Sequence, residues 1–311
     1  MGANVEASAP AKVILLGEHA VVYGCPAIAV PVSSLRVTAR SAPNDPPRQG
    51  LRLVAAEMER VYLPGNPAGD AIAYAVQLFL DALGAPPPDV TIALQSEIPI
   101  ASGLGSGAAV TAALGRALAA AVNRPLPDEM LNALVYEVEK VYHGTPSGID
   151  NTVIVYERPV YFVRGEPLQA LSIGAPFTLL IADTGQRALT RTAVDDVRRL
   201  YSAAPATVQG HFDAVVALVR QARACIERGD APALGALMNE NHRRLQQLTV
   251  SSPQLDRLAQ AAVSAGALGA KLSGGGRGGN LIALVTPATA EQVERALADA
   301  GAAAVYRTLV G

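Results

Sequence analysis

The chain has 311 residues, of which 50% are hydrophobic and 17% are charged, and its formal net charge is −2 at pH 7. This length and composition predict a globular protein of about two domains, since domains average roughly 150 residues. The nearly balanced charge excludes a bulk basic surface for nucleic acid or an anionic membrane, so any anion site must be local.

Strands are predicted where apolar and polar residues alternate, and helices where apolar residues recur at helical spacing between capping residues. In the first part of the chain these patterns place strands over residues 5–19, 26–41 and 89–99, and helices over 70–84, 108–122 and 127–144. Residues 151–163 are predicted to form a β-hairpin.

The second part of the chain is richer in helix. We expect strands over residues 177–185 and 281–287, and helices over 192–204, 211–229 and 230–250. Because the composition shifts near residue 170, a domain boundary is predicted there, between residues 1–170 and 171–311. His211 and His242 lie in amphipathic helices, and we expect both at solvent or interdomain contacts.

Cysteine usage and hydropathy predict the compartment. Cys25 and Cys225 lie far apart in the sequence and form no metal-type spacing, which argues against a disulfide framework or a zinc cluster. The first twenty residues hold only a short apolar run without a basic leader, and no stretch of about 18 apolar residues follows. We therefore expect a cytoplasmic protein without a signal peptide or membrane span.

Lysine is rare in this chain. Only three of the 25 Lys and Arg residues are lysines, namely Lys12, Lys140 and Lys271. A lysine is a compact point charge and an arginine a planar fork, so the lysines indicate positions where arginine would not serve. For Lys140 a plain surface role is an acceptable alternative.

Two glycine-rich segments suggest binding of an anion. Gly103, Gly105 and Gly107 precede a predicted helix, and such a loop lets backbone N–H groups approach a phosphate at the positive end of the helix. The loop matches neither Walker A nor the dinucleotide fingerprint, and alone it is equally compatible with a tight turn. The second segment has five glycines in the eight residues from Ser273 to Asn280, which favours close backbone approach to a ligand.

Two acidic residues fit phosphoryl transfer, which needs one carboxylate to hold Mg²⁺ and another to orient or deprotonate the attacking hydroxyl. Glu139 near a helix end and Asp150 after a tight turn can divide these tasks. Glu137 competes with Glu139 for the metal. The structural alternatives are an exposed helix-end glutamate and a loop-capping aspartate.

A third cluster lies in the segment PAKVILLGEHAVVYG, residues 10–24. Lys12 could lower the pKa of an acceptor hydroxyl or pair with Asp150, and His19 could donate a hydrogen bond to a substrate carboxylate. A structural histidine at a strand end is the alternative.

Together, PAKVILLGEHAVVYG, IPIASGLGSGAA, HGTPSGIDN and KLSGGGRGGN resemble the motifs of the GHMP kinases, from Pro10 to Asn280 and in the family's order. The resemblance implies an α/β (α+β) fold with two domains and an active site between them. Residues 1–170 would form an ATP-binding domain of the ribosomal-protein-S5-domain-2 type, and residues 171–311 a ferredoxin-like domain. The Gly-Glu-His-Ala-Val-Val form points to one branch of the family.

The resemblance also implies a role for individual residues. Asp150 would be the catalytic base, Lys12 would steady that aspartate, and Glu139 and Ser106 would hold Mg²⁺. The substrate would contact Glu18, His19, Thr190, Gly274 and Gly275. ATP would contact Pro99, Ala101, Ser102, Gly103, Leu104, Gly105, Ser106, Gly107, Ala108 and Ala109.

Some residues depart from the family's usual pattern. Gly107 stands in place of a serine expected near Mg²⁺, so Ser106 or a water would complete the metal shell, unless a positive φ requires glycine there. Gly275, Arg277 and Asn280 replace a usual Ala, Gly and Cys.

We therefore expect an ATP- and Mg²⁺-dependent kinase that phosphorylates a small-molecule alcohol. Neither nucleic acid nor a membrane is expected as a partner, and a homodimer is one option for the assembly. The alternatives are a GHMP kinase acting on homoserine or a sugar, and a nucleotide-binding sensor without chemistry, against which Lys12 and Asp150 argue. A dehydrogenase is disfavoured because no acidic residue follows the glycine loop at a suitable spacing.

Overall fold

The computed structural model describes residues 4–55, 58–61, 70–99, 102–143, 146–186 and 190–311, with side chains for all of these except 58–61, 142–143 and 190–191. Its internal contacts divide the chain into two compact units. Unit 1 comprises Met1–Ala11, Leu35–Pro99 and Gly105–Glu157. Unit 2 comprises Lys12–Ser34, Ile100–Leu104 and Arg158–Gly311.

The first two strands are long enough to contribute residues to both units. They are β1 (Val5–Leu16) and β2 (Ala27–Pro43), and they pair with each other. Both were predicted from alternation. In unit 1, the second half of β2 pairs antiparallel with β5, with Val37 opposite Ser96. On the other side of β5 lie β3, which is parallel to it, and then β4, which is antiparallel to β3. These strands are β3 (Arg52–Ala55), β4 (Met58–Val61) and β5 (Val90–Ser96).

The helices of unit 1 pack against one another. They are α1 (Ala71–Leu83), α2 (Ser106–Ala121), α3 (Asp128–His143) and α4 (Ile149–Tyr156). As predicted, Asp70 caps α1 by accepting hydrogen bonds from Ile72 N and Ala73 N, and Gly84 ends the helix in the left-handed conformation. Small buried alanines of α2 let its neighbours approach closely.

The predicted hairpin over residues 151–163 is wrong. Residues Ile149–Tyr156 form α4, and only Val160–Phe162, β6, is a strand. The β-branched residues suggested a strand. However, Ile149 and the consecutive residues 151–155 are all buried, so the segment lies in a core where burial on every side, and not intrinsic preference, selects the conformation.

Unit 2 contains a four-stranded antiparallel sheet with the order β11-β8-β10-β9. Its strands are β8 (Phe177–Asp183), β9 (Gly269–Ser273), β10 (Asn280–Val285) and β11 (Ala304–Val310). In chain order this is a 4-1-3-2 arrangement of the βαββαβ type, which confirms the predicted ferredoxin-like fold. In the other, seven-stranded sheet, the first part of β2 pairs antiparallel with β6, and β6 with β7 (Gln169–Ala170).

The helices of unit 2 follow the sequence pattern in part. They are α5 (Thr190–Ala203), α6 (Pro205–Arg228), α7 (Ala231–Gln247), α8 (Pro253–Ser264) and α9 (Ala290–Asp299). A short 3₁₀ turn spans Ala20–Tyr23. The first three helices were predicted, whereas α8, α9, β9 and β11 were not. Among the described residues, no helix combines the length and hydrophobicity needed to cross a bilayer.

The predicted boundary near residue 170 stays a prediction. The contacts assign Lys12–Ser34 and Ile100–Leu104 to the same unit as the C-terminal half, because these segments hydrogen-bond to residues far along the chain. Both cysteines are free, as expected.

Gly115 tests the close packing of α2. A Cβ built on Gly115 would lie 2.5 Å from Cζ of Phe79, which is fully buried and has no room to swing away. Overpacking costs about 1 to 3 kcal/mol, more than the gain of roughly 1 kcal/mol in helix propensity from Gly to Ala. Gly115→Ala is therefore expected to lower the midpoint of thermal unfolding by a few degrees.

The matched control is Gly210→Ala in α6, where a Cβ would meet no atom within 4 Å. This variant gains the helix propensity without the clash, so its midpoint should stay equal to that of the parent or rise. Equal midpoints for the two variants would show that the core around Phe79 adjusts freely.

Candidate active site

The loop before α2 has the backbone geometry predicted for it. Gly103 and Gly105 have φ values of 85° and 78°, the left-handed region that favours glycine. The helix begins at Ser106, two residues before the predicted start, and Gly105 at its N-cap provides no side-chain cap. Backbone N–H groups of the first turn are therefore left for a ligand, in the manner of helix ends that bind phosphate.

Gly107 lies inside the first turn of α2 and has no positive φ. The alternative that a left-handed backbone requires glycine at this position is therefore wrong. A Cβ on Gly107 would lie 3.2 Å from Oε1 of Glu139, so the carboxylate faces the start of the helix. Glycine at this position leaves space beside a buried carboxylate.

The two candidate metal ligands on α3 differ in their surroundings. Glu139 is 3% exposed and lies beside Gly107. Glu137 is on the surface, where Lys140 Nζ bonds to it at 2.6 Å. This geometry favours Glu139 over Glu137, and it gives Lys140 the plain surface role considered above.

Asp150 lies in the first turn of α4, half-buried. The adjacent Asn151 donates to Oδ1 of Asn132 on α3 at 2.7 Å, and Thr152 Oγ1 donates to the Gly148 carbonyl at 2.7 Å. The Asn151 contact joins the start of α4 to α3, about 10 Å along that helix from Glu139 at 1.5 Å per residue, and the Thr152 contact is local to α4. The two carboxylates thus belong to packed neighbouring helices.

Segments of three of these motifs meet within unit 2: the first motif (residues 10–24), the second, which holds the glycine loop (98–109), and the third (271–280). Lys12, 3% exposed on β1, donates its backbone N–H to Leu104 O at 3.0 Å. Asn280 at the start of β10 donates its amide to the Ser102 carbonyl at 2.5 Å. A Cβ on Gly274 would lie 3.8 Å from Gly103 O, so the third motif also passes beside the glycine loop.

The second glycine-rich segment, from Ser273 to Asn280, does not serve a ligand at every position. A Cβ on Gly276 would lie 2.0 Å from the Val250 carbonyl oxygen, so contact within the protein requires glycine there. The expectation that ligand approach explains all five glycines is wrong for this residue. Arg277, next in sequence, pairs with Asp196 of α5 and donates through Nε to the Thr249 carbonyl at 3.2 Å.

His19 is buried, and its Nε2 lies 3.1 Å from the Gly275 carbonyl oxygen. Burial lowers its pKa to about 4, the positive charges of Arg277 and Lys271 act in the same direction, and the bond to Gly275 opposes them. The ring is therefore neutral near pH 7. Because a carbonyl only accepts, Nε2 carries the proton and Nδ1 is an acceptor. The expectation that His19 donates to a carboxylate is not supported by this geometry.

Two further expectations need correction. Glu18 is 1% exposed, and its carboxylate accepts hydrogen bonds from Lys271 Nζ and Asn241 Nδ2, so both of its oxygens are bound within unit 2 and the expected substrate contact is not supported. His242 is neither at solvent nor between units. It is 6% exposed in unit 2, accepts the Leu272 N–H through Nδ1, and lies 3.1 Å from Asp256.

The remaining predicted contacts are only partly described. Pro99 is half-buried, and Ala108 and Ala109 are buried in the first turn of α2. Thr190 begins α5, but its side chain lies outside the described residues, as does Ala101. Sequence reasoning missed Asn241 and Asp196 because their partners are distant in sequence. Lys271 had been singled out by the rarity of lysine.

The donor set fits Mg²⁺. This ion takes oxygen ligands, and in phosphoryl-transfer sites it is held by one or two carboxylates together with substrate phosphates. Glu139 supplies one buried carboxylate beside the start of α2, and Ser106 lies in the same helical turn as Gly107. Among the described residues there is no cluster of three or more His, Cys, Asp or Glu side chains that could hold a metal ion.

These features have counterparts among known proteins. The family model for the GHMP kinases N terminal domain matches residues 70–158, and that for the GHMP kinases C terminal domain matches residues 222–303. The mevalonate kinase of Aeropyrum pernix is 38% identical, over 94% of this chain and 90% of that protein. The chain belongs to the GHMP kinase family.

Solved structures are similar over the same length. The mevalonate kinase of L. major in complex with R-mevalonate has a TM-score of 0.85 and 31% identity, and the match covers 100% of this chain and 98% of that one. The galactokinase of Lactococcus lactis complexed with galactose has a TM-score of 0.76 at 20% identity, covering 98% and 93%, and shows the shared fold alone. Both of these proteins that are more than 30% identical to this chain are named mevalonate kinase.

The lowered pKa of His19 predicts a pH dependence of stability. The unfolded chain takes up this proton near pH 6.5, whereas the folded protein does so only near pH 4. Between these values the unfolded state binds more protons, so stability is full above pH 6.5 and falls on acidification. From pH 7 to pH 5 the parent should lose about 2 kcal/mol more than His19→Gln.

The measurement is the urea midpoint of parent and variant at pH 8, 7, 6 and 5. At pH 8 both proteins have a neutral side chain at position 19, and the difference there gives the pH-independent effect of the substitution. Parallel pH profiles for the two proteins would contradict the assignment of a neutral buried imidazole.

Proposed function

We propose that this chain transfers the γ-phosphoryl group of ATP to the primary hydroxyl of mevalonate, giving 5-phosphomevalonate and ADP, a reaction of isoprenoid precursor synthesis. The observation that carries the proposal is the similarity, along the whole chain, to proteins named mevalonate kinase, one of them bound to R-mevalonate. The Gly-Glu-His-Ala-Val-Val form of the first motif supports the same member of the family.

Asp150 takes the role of general base. Its carboxylate accepts the hydroxyl proton as the oxygen forms a bond to the γ-phosphorus, and the bond from that phosphorus to the β–γ bridging oxygen breaks. The electron pair of the broken bond leaves with ADP. The carboxylate can act in this way because Asn151 and Thr152 hold the first turn of α4 in place.

Charge stabilisation comes from several groups of the chain. Backbone N–H groups of Ser106, Gly107 and Ala108 point from the start of α2 and bind phosphate oxygens, and the ammonium of Lys12 balances negative charge that develops during transfer. Glu139 and Ser106 would hold Mg²⁺. When bound, this ion neutralises charge on the triphosphate.

His19 serves the acceptor alcohol through Nδ1, as a hydrogen-bond acceptor and not as a donor. Gly275, whose carbonyl His19 contacts, and the adjacent Gly274 are proposed to contact the acceptor as well. Thr190 is proposed to contact it from the start of α5. A homodimer stays a prediction from the sequence.

Another acceptor, homoserine or a sugar, is the second candidate, because the fold is shared with a galactokinase. Release of ADP should be measured with mevalonate, phosphomevalonate, homoserine and galactose in turn. We expect the highest kcat/KM with mevalonate, and a higher value with any of the other acceptors would contradict the proposal. A nucleotide-binding sensor predicts ATP binding without acceptor-dependent ADP release.

Asp150→Asn should remove the base while preserving shape. Turnover is expected to fall about 100-fold or more, because general base catalysis contributes roughly 10² to 10⁴. ATP affinity should change little, since the side chain acts on the hydroxyl. A folded variant with turnover within a few-fold of the parent would show that another group takes the proton.

Position 107 tests the metal shell. Because Gly107 has a helical backbone, Gly107→Ser is expected to fold, and its hydroxyl, placed beside Glu139, should keep or tighten the dependence on Mg²⁺. Ser106→Ala should weaken that dependence by removing the remaining hydroxyl of the turn. The measurement is turnover against Mg²⁺ concentration.

The control for both variants is their ATP affinity without Mg²⁺, which reports on the backbone of the loop. An unchanged Mg²⁺ curve for Ser106→Ala together with an inactive Gly107→Ser would contradict the role given to Ser106.

A further inference from the structure

Glu18 of the first motif and Lys271 of β9 form a fully buried ion pair. Glu18 follows β1 and is 1% exposed, and Lys271 lies on β9 with no exposed surface. Lys271 Nζ donates to Oε1 of Glu18 and, at 2.5 Å, to the Leu272 carbonyl. Burial lowers the pKa of Lys271, and the charge of Glu18 opposes that shift.

The pair is embedded in a wider polar network. Asn241 on α7 donates to Oε2 of Glu18 at 3.1 Å, so both carboxylate oxygens are engaged. The next residue of α7, His242, accepts the Leu272 N–H at 3.2 Å and thereby fixes the strand beside Lys271. The position of the ammonium is set by the sheet, and the position of Glu18 is set by the ammonium and α7.

This network ends at a residue with an unusual backbone. His19 has φ of 61° and ψ of −49°, a positive-φ conformation that residues with a side chain rarely adopt. Such a conformation persists only where the surroundings impose it. The surroundings here are three attachments between residues 14–19 and 271–275: Ile14 with Ser273, Glu18 with Lys271, and His19 with Gly275.

Net stability alone is a poor reason for such a pair. Removing two charges from water is costly, and well-packed apolar residues in place of a buried ion pair are often as stable or more so. Apolar residues, however, do not make directional contacts. An ammonium that donates to both a carboxylate and a carbonyl fixes the relative position of the two segments that carry them. The chain otherwise favours arginine, and a compact ammonium fits a site without exposed surface.

We propose that Lys271 is a positioning residue that acts through Glu18 to hold the His19 turn in the conformation that binds the acceptor alcohol. The inference rests on the proposed function, in which His19 Nδ1 faces that acceptor. Neither Lys271 nor Glu18 touches the substrate.

The test separates positioning from stability with a double variant. Lys271→Met and Glu18→Leu each leave one buried charge unpaired, so each single variant should have a markedly lower thermal midpoint. The double variant Lys271→Met/Glu18→Leu removes both charges and should recover most of that loss. Its KM for the acceptor should nevertheless stay about tenfold or more above the parent value, while KM for ATP stays within about threefold.

Recovery of the acceptor KM together with the midpoint would overturn the proposal, as would equal increases in both KM values. Asn241→Leu covers the case of a poorly folded double variant, because it removes a neutral contact to Glu18 and leaves the ion pair. Its acceptor KM should rise about threefold with KM for ATP unchanged, and an unchanged acceptor KM would overturn the proposal.

The matched control is Lys140→Met, which breaks the exposed pair with Glu137 and should leave the midpoint and both KM values as in the parent. The KM comparison is made with whichever acceptor the parent turns over fastest. Failure of the mevalonate assignment would appear in the parent enzyme, whereas failure of the positioning role would appear only in the variants.

Discussion

Close backbone approach between segments distant in sequence is the constraint on which the candidate site depends. Leu104 accepts from Lys12, and Ser102 accepts from Asn280, so the loop before α2 is held by the first and third motifs at once. A peptide carbonyl is a short, rigid group, and contacts to it fix a loop more tightly than contacts between long side chains would. Glycines near these carbonyls keep the space free that the approach requires.

The close packing of these segments also buries ionisable side chains of unit 2 and so determines their charge states. His19, Glu18 and Lys271 are all removed from water, and each is then governed by its protein partners. Lys271 forms an ion pair with Glu18, whereas His19, whose ring contacts a carbonyl, is neutral. A charged group is tolerated where a counter-charge is fixed beside it, and an imidazole without one loses its proton.

Local features of the fold were predictable because their causes are local. Asp70 and Gly84 mark the ends of α1 through contacts within a few residues, and Gly103 and Gly105 adopt the backbone that only glycine reaches easily. The hairpin prediction failed because Ile149–Tyr156 is a largely buried segment whose conformation is set by tertiary packing. Short strands such as β3 and β7 have too few residues for a recognisable pattern.

The site was predictable in its residues more than in their roles. The sequence pattern identified His19 and Asp150, and the family resemblance added Glu18, but the partners of Glu18 lie 223 and 253 residues away, which no local pattern conveys. The choice between Glu137 and Glu139 likewise depended on which face of α3 meets α2. Roles of this kind are set by tertiary contacts.

Asn280 has a chemical consequence beyond its hydrogen bond to the glycine loop. The resemblance places a cysteine at this position in other GHMP kinases, whereas here an amide, which does not react with oxidants or alkylating agents, supports the loop. Cys225 is buried on α6, and burial raises the pKa of the Cys25 thiol, which disfavours its reactive thiolate. The contacts of Asn280 and Lys12 to the loop before α2 therefore involve no thiol that an oxidant could modify.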